Sequence, residues 1–216
     1  MYRKQGYDHY LNFIVAQDPI ESTVNEFWWM IVEHNVTTLV MLAELGDGQS
    51  KCHCYWPADE FDCDVVRVKL IEEENRQYFI RRRFCVILKK NNEKHELNQF
   101  QFLAWKSGVV PESTLSLIHL IDTVMANFTQ TKADYLKNSS DNHSPILVHC
   151  SGGGDRSSVF VAFASLVRQI STEERIDIFQ TSRYIRSQRL CMLKTIVSKL
   201  FLWFYCSFYL FDSHQI

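Results

Sequence analysis

The residues best suited to chemistry lie around Cys150, where the sequence reads VHCSGGGDRSSVF between a predicted strand and a predicted helix. The consecutive glycines Gly152, Gly153 and Gly154 let the backbone turn its N–H groups inward and form an anion-binding nest at the start of the helix. Arg156 closes the loop, and its guanidinium can grip two oxygens of a tetrahedral oxyanion held above the Cys150 sulfur. The amides and the arginine also favour the thiolate. The pattern therefore predicts a cysteine nucleophile in an oxyanion-binding loop.

Two neighbours of this loop are predicted to assist it. His149 is expected to support the loop by hydrogen bonding rather than by transferring protons, and Ser157 is expected to donate a hydrogen bond to the thiolate. The alternative is a buried structural cysteine before a glycine turn. The Val-His before Cys150 and the Ser-Ser after Arg156 favour the oxyanion loop over that alternative.

The segments that must position this loop alternate between strand and helix patterns, which predicts an α+β fold in a single domain spanning residues 1–216. Apolar residues at helical spacing predict helices over 21–34, 113–128, 157–169 and 175–187. Buried or alternating runs predict strands over 37–42, 65–70, 79–88, 95–104 and 145–150, and a surface loop is predicted over 138–145.

Composition excludes several classes of protein. The chain of 216 residues is 46% hydrophobic, which suits a packed core. Its formal net charge of −2 argues against general nucleic-acid binding. The cysteine count of 7 is odd and irregularly spaced, so reduced thiols inside a cell are expected rather than a disulfide framework. No secretory signal is visible at the start of the sequence, so a cytoplasmic location is expected.

Other clusters are predicted to be structural. Cys52-His53-Cys54 and Cys63 do not fit the usual zinc spacing, so free thiols are expected, with no metal and no cofactor. The basic run Arg81-Arg82-Arg83 is interpreted as a solvated sheet edge, with docking of an acidic partner as the alternative. Leu200–Phe211 is apolar but too short to span a membrane, so a buried terminal helix is expected, with a membrane-surface contact as the alternative.

The Cys150 segment resembles the signature loop of protein tyrosine phosphatases, His-Cys-Ser-x-Gly-x-Gly-Arg-(Ser/Thr)-Gly. Further stretches resemble the non-receptor class of that family in the same order along the chain: TVNEFWWMIVEHNVTTLVML, KCHCYWP, IRRRFCV, FQFLAWKSGVVPES and RYIRSQR. The resemblance implies a twisted mixed β-sheet flanked by helices. It also implies that Cys150 is the nucleophile that forms a phosphocysteine, that Arg156 clamps the phosphate, and that proteins carrying phosphotyrosine are the partners. The implied phosphate-binding residues are Ser151, Gly152, Gly153, Gly154, Asp155 and Arg156.

The sequence departs from the family pattern at the positions that complete catalysis. A phenolate leaving group has a pKa near 10 and needs a general acid, but Ser107 occupies the position of the family's aspartate, and Glu112 lies too far along the loop to replace it. Lys194 replaces the glutamine that positions the hydrolytic water. Asp155, which is expected to point outward, and Ser158 replace glycines of the signature loop.

The start of the chain resembles an internal stretch of the family. Met1-Tyr2-Arg3-Lys4 matches a Gly-Tyr-Arg segment, so the N-terminal segment whose tyrosine walls the phosphotyrosine pocket is expected to be missing. The combined departures look most like the diverged phosphatase-like proteins of polydnaviruses (bracoviruses), which would place this protein in the host-cell cytoplasm. The sequence thus predicts a phosphotyrosine-binding protein with little or no turnover. The alternative is a slow protein tyrosine phosphatase.

Overall fold

The computed structural model describes residues 12–43, 45, 53–106, 109, 111, 113–136, 144–189 and 192–194. The strands are β1 Phe13–Gln17, β2 Thr38–Met41, β3 Glu60–Asp62, β4 Val66–Asn75, β5 Phe79–Leu88, β6 Glu93–Phe102 and β7 Ile146–Cys150. The α-helices are α1 Val24–Glu33, α2 Thr114–Leu136, α3 Asp155–Glu173 and α4 Ile178–Gln188. The chain divides into two compact units, one spanning residues 13–153 and the other comprising residues 1–12 and 154–216.

The first unit is built on a mixed sheet of 7 strands in the order β1-β7-β2-β6-β5-β4-β3. Strands β1, β7, β2 and β6 pair in parallel, whereas β6, β5, β4 and β3 pair antiparallel. Every residue of β2 and β7 is buried, as is typical of parallel strands covered on both faces. The α+β fold with a mixed sheet is therefore confirmed.

Helix α1 covers one face of this sheet. Its buried Phe27, Trp28 and Ile31 share one helix face and join the core cluster that includes Leu39 of β2. The indole N–H of Trp28 also donates to the carbonyl oxygen of Tyr55 at 2.9 Å, so this buried donor is satisfied.

Helix α2 lies against the other face of the sheet. The Phe79 ring packs against Phe100 of β6 and against His119 of α2, with centroid separations of 5.9 Å in both cases. The two helices therefore enclose the sheet within this unit.

In the second unit, α3 and α4 pack against each other across a short connection. Helix α3 ends at Glu173 and is followed by the C-cap residue Glu174, whose φ of 52° is left-handed. The Gln169 side chain accepts from the backbone N–H of Asp177 at 3.1 Å, and the Asp177 carboxylate caps α4 by accepting from the N–H of Gln180 at 2.8 Å.

Strands β1 and β3 were not predicted from the sequence. Both are short and lie at the two edges of the sheet. Helix α2 also extends beyond the predicted end at residue 128, and the predicted helix over 21–34 begins with a 3₁₀ turn at Glu21–Thr23. The predicted loop over 138–145 lies largely outside the described residues.

The predicted sheet-edge position of the arginine run is wrong, because β5 is an interior strand. Arg82 is only 5% exposed. Arg81 and Arg83, which alternate with it on the strand, form ion pairs with Glu74 and Glu72 of β4.

Candidate active site

Cys150 is the last residue of β7 and is 3% exposed. Its carbonyl oxygen accepts two hydrogen bonds, from the N–H of Gly153 at 2.9 Å and from the N–H of Asp18 at 3.1 Å. The first bond reverses the chain immediately after the strand, and the second ties the end of β7 to the residue that follows β1. The backbone at Cys150 is therefore fixed from two directions.

Gly153 adopts the left-handed conformation that side chains disfavour, with φ of 58°. A Cβ atom there would lie 2.6 Å from the carbonyl carbon and oxygen of Ala16, and the backbone of Ala16 has no room to move aside within the paired strand β1. A Cβ at Gly152, by contrast, would meet nothing within 4 Å. Of these two glycines, Gly153 is therefore the one whose Cα is pressed against the end of β1.

Helix α3 begins immediately after this turn, with Gly154 as its N-cap and Asp155 as its first residue. Asp155 is exposed, and a carboxylate in the first turn interacts favourably with the helix dipole. Arg156 and Ser157 are 6% and 0% exposed. The Ser157 hydroxyl has no hydrogen-bond partner among the described residues, so its predicted donation to the Cys150 sulfur stays a prediction.

Ser158 connects the start of α3 to the segment that carries Lys194. Its hydroxyl donates to the carbonyl oxygen of Asp155 and accepts from the N–H of Leu193, both at 2.9 Å. Leu193 is fully buried with φ of 49°, and the exposed Lys194 follows it directly. From the sequence, Ser158 is notable only as a replacement for a glycine, and this contact was not predicted.

Trp105 lies two residues before Ser107 in the sequence. This side chain is 3% exposed, and its indole N–H donates to the carbonyl oxygen of Val109 at 2.8 Å. Lys106 is exposed. Ser107 and Glu112 lie outside the described residues, as do Ser107's neighbour Gly108, the segment over residues 1–11 and the apolar segment Leu200–Phe211.

His149, one residue before Cys150, is fully buried and hydrogen-bonded through both ring nitrogens. Its Nδ1 lies 2.5 Å from Oδ1 of Asp18, and its Nε2 lies 2.8 Å from the hydroxyl of Tyr55. The Tyr55 hydroxyl in turn accepts from Nε2 of Gln99 at 2.7 Å. The Phe27 ring packs edge-on against both Tyr55 and His149, with centroids 4.9 and 5.4 Å apart, and shields these bonds from water.

The same polar network continues to Arg82. The Nη1 atom of Arg82 donates to the side-chain oxygens of Gln99 at 3.1 Å and Gln101 at 2.8 Å, and its Nε donates to Glu73 at 2.6 Å. The guanidinium also stacks 4.6 Å from the centroid of the Trp56 ring. Asp18, Gln99 and Arg82 were not identified from the sequence, where nothing but their polarity distinguishes them.

In the described part of the chain, no three His, Cys, Asp or Glu residues are grouped as they would be to hold a metal ion. Cys54 is exposed, Cys63 is buried and donates to the carbonyl oxygen of Val66 at 3.3 Å, and Cys52 lies outside the described residues. None of the described helices is long and apolar enough to cross a membrane.

Comparison with known proteins gives one consistent result. The family model described as protein-tyrosine phosphatase matches residues 4–205. The chain is 41% identical to tyrosine-protein phosphatase 69D of Drosophila melanogaster over 92% of its own length and 13% of that protein. It is 35% identical to receptor-type tyrosine-protein phosphatase eta of Mus musculus, over 91% of this chain and 15% of that protein. It is 33% identical to the mouse receptor-type phosphatase alpha, over 88% of this chain and 22% of that protein. The chain therefore spans less than a quarter of the length of each of these relatives.

Proposed function

The chain belongs to the protein tyrosine phosphatase family, and on that premise we propose that it is a phosphatase-like protein with little or no turnover. It binds phosphotyrosine or related phosphorylated side chains of partner proteins in the Cys150–Arg156 loop. In this proposal the Cys150 sulfur lies beneath the phosphate, the amides of residues 151–156 surround it, and the Arg156 guanidinium holds two of its oxygens.

The observation that supports binding most directly is the conformation of Gly153. A left-handed turn whose Cα faces the backbone of Ala16 admits no side chain, and it reverses the chain so that the N-terminus of α3 follows at once. Free N–H groups at a helix N-terminus attract anions whether or not a reaction follows.

The support for impaired catalysis comes from residue types. A serine at position 107 cannot protonate a phenolate of pKa near 10, and loss of a general acid typically costs about 10²–10⁴ in rate. Lys194 stands in place of a glutamine, so the group that would orient the water for its attack on the phosphocysteine is absent from that position. Both steps of the family reaction are thus expected to be slow.

The same proposal covers the domain organisation and the cellular location of the protein. We assign residues 1–216 to one phosphatase-like domain, and we place it in the cytoplasm, in the host cell if the protein is polydnaviral. The support is the set of departures at Ser107, Asp155 and Lys194. The named relatives include receptor-type phosphatases, so assignment to the non-receptor class rests on the sequence resemblance alone.

A second candidate function is slow hydrolysis, which the retained Cys150 and Arg156 favour. The thiolate would attack phosphorus, the P–O bond to the leaving group would break, and water would supply the proton to the departing oxygen. A second water would then attack the phosphocysteine, releasing inorganic phosphate and restoring the thiol.

The two candidates are separated by measuring binding and turnover on the same protein. Titration calorimetry with orthovanadate and with a phosphotyrosine peptide should show binding that Arg156→Lys abolishes, because an ammonium cannot make the bidentate contact. Arg168→Lys, at an exposed position on the same helix, is the matched control and should bind as the parent does.

Turnover is measured on the phosphotyrosine peptide and on an aryl phosphate with a leaving group of low pKa. Binding without hydrolysis of either substrate supports the binding function. Hydrolysis of the activated ester alone supports the slow enzyme. Rapid hydrolysis of the peptide contradicts the proposed impairment, and equal affinity of the parent and Arg156→Lys contradicts the clamp assignment.

A further inference from the structure

In the buried polar network next to Cys150, the hydrogen bonds run in one direction from donor to acceptor. The donor and acceptor groups of the side chains determine that direction. Arg82 carries only donors, so the Gln99 atom facing its Nη1 at 3.1 Å is the amide oxygen. The Gln99 amide nitrogen is then the atom 2.7 Å from the Tyr55 hydroxyl, and it donates to that oxygen. The orientation of one amide group therefore sets the direction of the next bond.

A hydroxyl that accepts a hydrogen bond still has its own proton to donate. The Tyr55 oxygen lies 2.8 Å from Nε2 of His149, and a neutral imidazole offers one nitrogen as acceptor and the other as donor. If Tyr55 donates to Nε2, the ring proton of His149 is on Nδ1. That proton points at Oδ1 of Asp18, 2.5 Å away.

We propose that Asp18 is a positioning residue for the nucleophile: its carboxylate accepts from Nδ1–H of His149 and holds the imidazole in one tautomer and one orientation. The chain of donors thus runs one way, from Arg82 through Gln99, Tyr55 and His149 to Asp18. This inference goes beyond the proposed function, which assigns no role to Asp18, although its consequence for anion binding rests on that function.

Asp18 contacts both His149 and Cys150. Its carboxylate contacts His149, and its backbone N–H donates to the carbonyl oxygen of Cys150 at 3.1 Å. Because the two contacts come from one residue, a shift of the imidazole is transmitted to the backbone that carries the sulfur. Asp18 is 7% exposed, and its Oδ2 has no hydrogen-bond partner among the described residues. A carboxylate held in that position has lost hydration, and the bond from His149 is its compensation.

The ring protonation of His149 is measured directly by ¹⁵N NMR of the histidine-labelled protein at neutral pH, with the signal assigned from a His149→Gln variant. We expect one protonated nitrogen, Nδ1, and one bare nitrogen, Nε2. His95 provides an internal standard of the opposite type, since its Nε2 lies 2.6 Å from the carbonyl oxygen of Val36 and must therefore carry a proton.

Two substitutions of Asp18 distinguish its role as a hydrogen-bond acceptor from a role as a counter-ion to a charged His149. Asp18→Asn retains an oxygen that can accept from Nδ1–H, so the tautomer should be unchanged. Asp18→Ala removes the acceptor, so a second tautomer should appear at His149 while His95 stays as it was. A doubly protonated ring in the parent protein would overturn the proposal, because Asp18 would then act as a counter-ion. A proton on Nε2 alone would overturn it as well.

The consequence for the nucleophile is tested by the affinity for orthovanadate of the parent and both variants. Asp18→Ala should weaken binding by about tenfold, the equivalent of one buried donor left without its acceptor, and Asp18→Asn should recover most of that loss. Equal affinity in all three proteins would show that Asp18 does not position the loop. If the parent binds no vanadate, the proposed function fails, whereas the NMR result still decides the role of Asp18.

Discussion

In the proposed function, individual side chains around Cys150 decide whether a phosphate ester is bound or cleaved. Binding needs a fixed loop and a planar cation, and the proposal assigns these to the turn at Gly153 and to the side chain of Arg156. Cleavage needs in addition a group that protonates the leaving oxygen and another that orients water, and Ser107 and Lys194 are poorly suited to these tasks. The acid and the water-orienting group are different residues, so substitution can restore each of them separately.

Restoring the acid with Ser107→Asp should raise hydrolysis of a phosphotyrosine peptide, by less than the roughly 10²–10⁴ that a well-placed acid contributes. The gain is limited because Lys194 still leaves the hydrolytic water poorly oriented. Adding Lys194→Gln should therefore increase kcat/KM by more than the product of the two single effects, since groups that act on one reaction are not additive. The measurement is kcat/KM for the parent, both single variants and the double variant.

Two results would contradict this account. Activity typical of the family after Ser107→Asp alone would mean that the rest of the site is intact. Activity of that size in the parent would refute the argument from the missing acid. Ser187→Asp, which adds the same charge at an exposed position on α4, is the control for a general electrostatic effect.

At the scale of residues, the sequence predicts candidates from an unusual combination of residue types, whereas residues defined only by their contacts give no such signal. Cys150 and Arg156 stand out because their types and spacing are unusual together. Asp18 lies 131 residues from His149 in the chain, and only the parallel pairing of β1 with β7 brings them together. The interior position of Arg82 is not predictable, because the sequence does not show which strand forms an edge.

Secondary-structure elements position the loop through the contact between the glycine turn and the end of β1. The sequence predicted the strand and helix on either side of Cys150 because both are strongly apolar. It did not predict β1, whose residues are only partly buried and whose length of 5 residues gives a weak pattern. The element that limits the shape of the loop was therefore the one with the least sequence signal.

Two adjacent glycines provide a direct test of that contact. Gly153→Ala should lower the free energy of unfolding by about 1–3 kcal/mol for the left-handed backbone, with a further cost from a Cβ placed 2.6 Å from the Ala16 carbonyl. Gly152→Ala meets no atom within 4 Å and should change stability by less than about 0.5 kcal/mol. Urea denaturation of the parent and both variants measures the difference. Equal effects at the two positions would mean that the turn is not pressed against β1.

At the scale of the whole molecule, the mixed sheet and its helices were predictable because the spacing of apolar residues in long segments distinguishes strands from helices. The strand order was not, since the pairing of β7 between β1 and β2 depends on contacts over more than a hundred residues. The charges show a similar division. The net charge of −2 follows from composition, but which carboxylates gain a cation partner depends on the fold.

Acid sensitivity is the whole-molecule property that these pairings predict. A hydrogen bond from Lys89, 2.6 Å from Asp62, lowers the pKa of the Asp62 carboxyl below its ordinary value of 3.8, and a hydrogen bond from Arg175 lowers the pKa of Glu173 below 4.5. A carboxyl with a depressed folded-state pKa contributes stability above its unfolded pKa and loses that contribution as the pH falls through the folded value. Burial raises the pKa of Asp122, whose contribution to the pH dependence has the opposite sign.

The contributions of these carboxyl groups to the pH dependence of stability oppose each other. Variants are therefore more informative than the dependence of unfolding free energy on pH in the parent protein alone. Lys89→Met should return the pKa of Asp62 toward its ordinary value and make the loss of unfolding free energy between about pH 5 and pH 3 shallower, at low ionic strength where exposed pairs are least screened. Lys90→Met removes the same charge from a neighbour that forms no ion pair in the described part of the chain, and it should leave the slope unchanged. Urea titrations at a series of pH values give both slopes. If Lys89→Met and Lys90→Met reduce the slope of unfolding free energy against pH equally, overall charge rather than the pairing with Asp62 controls the loss of stability in acid.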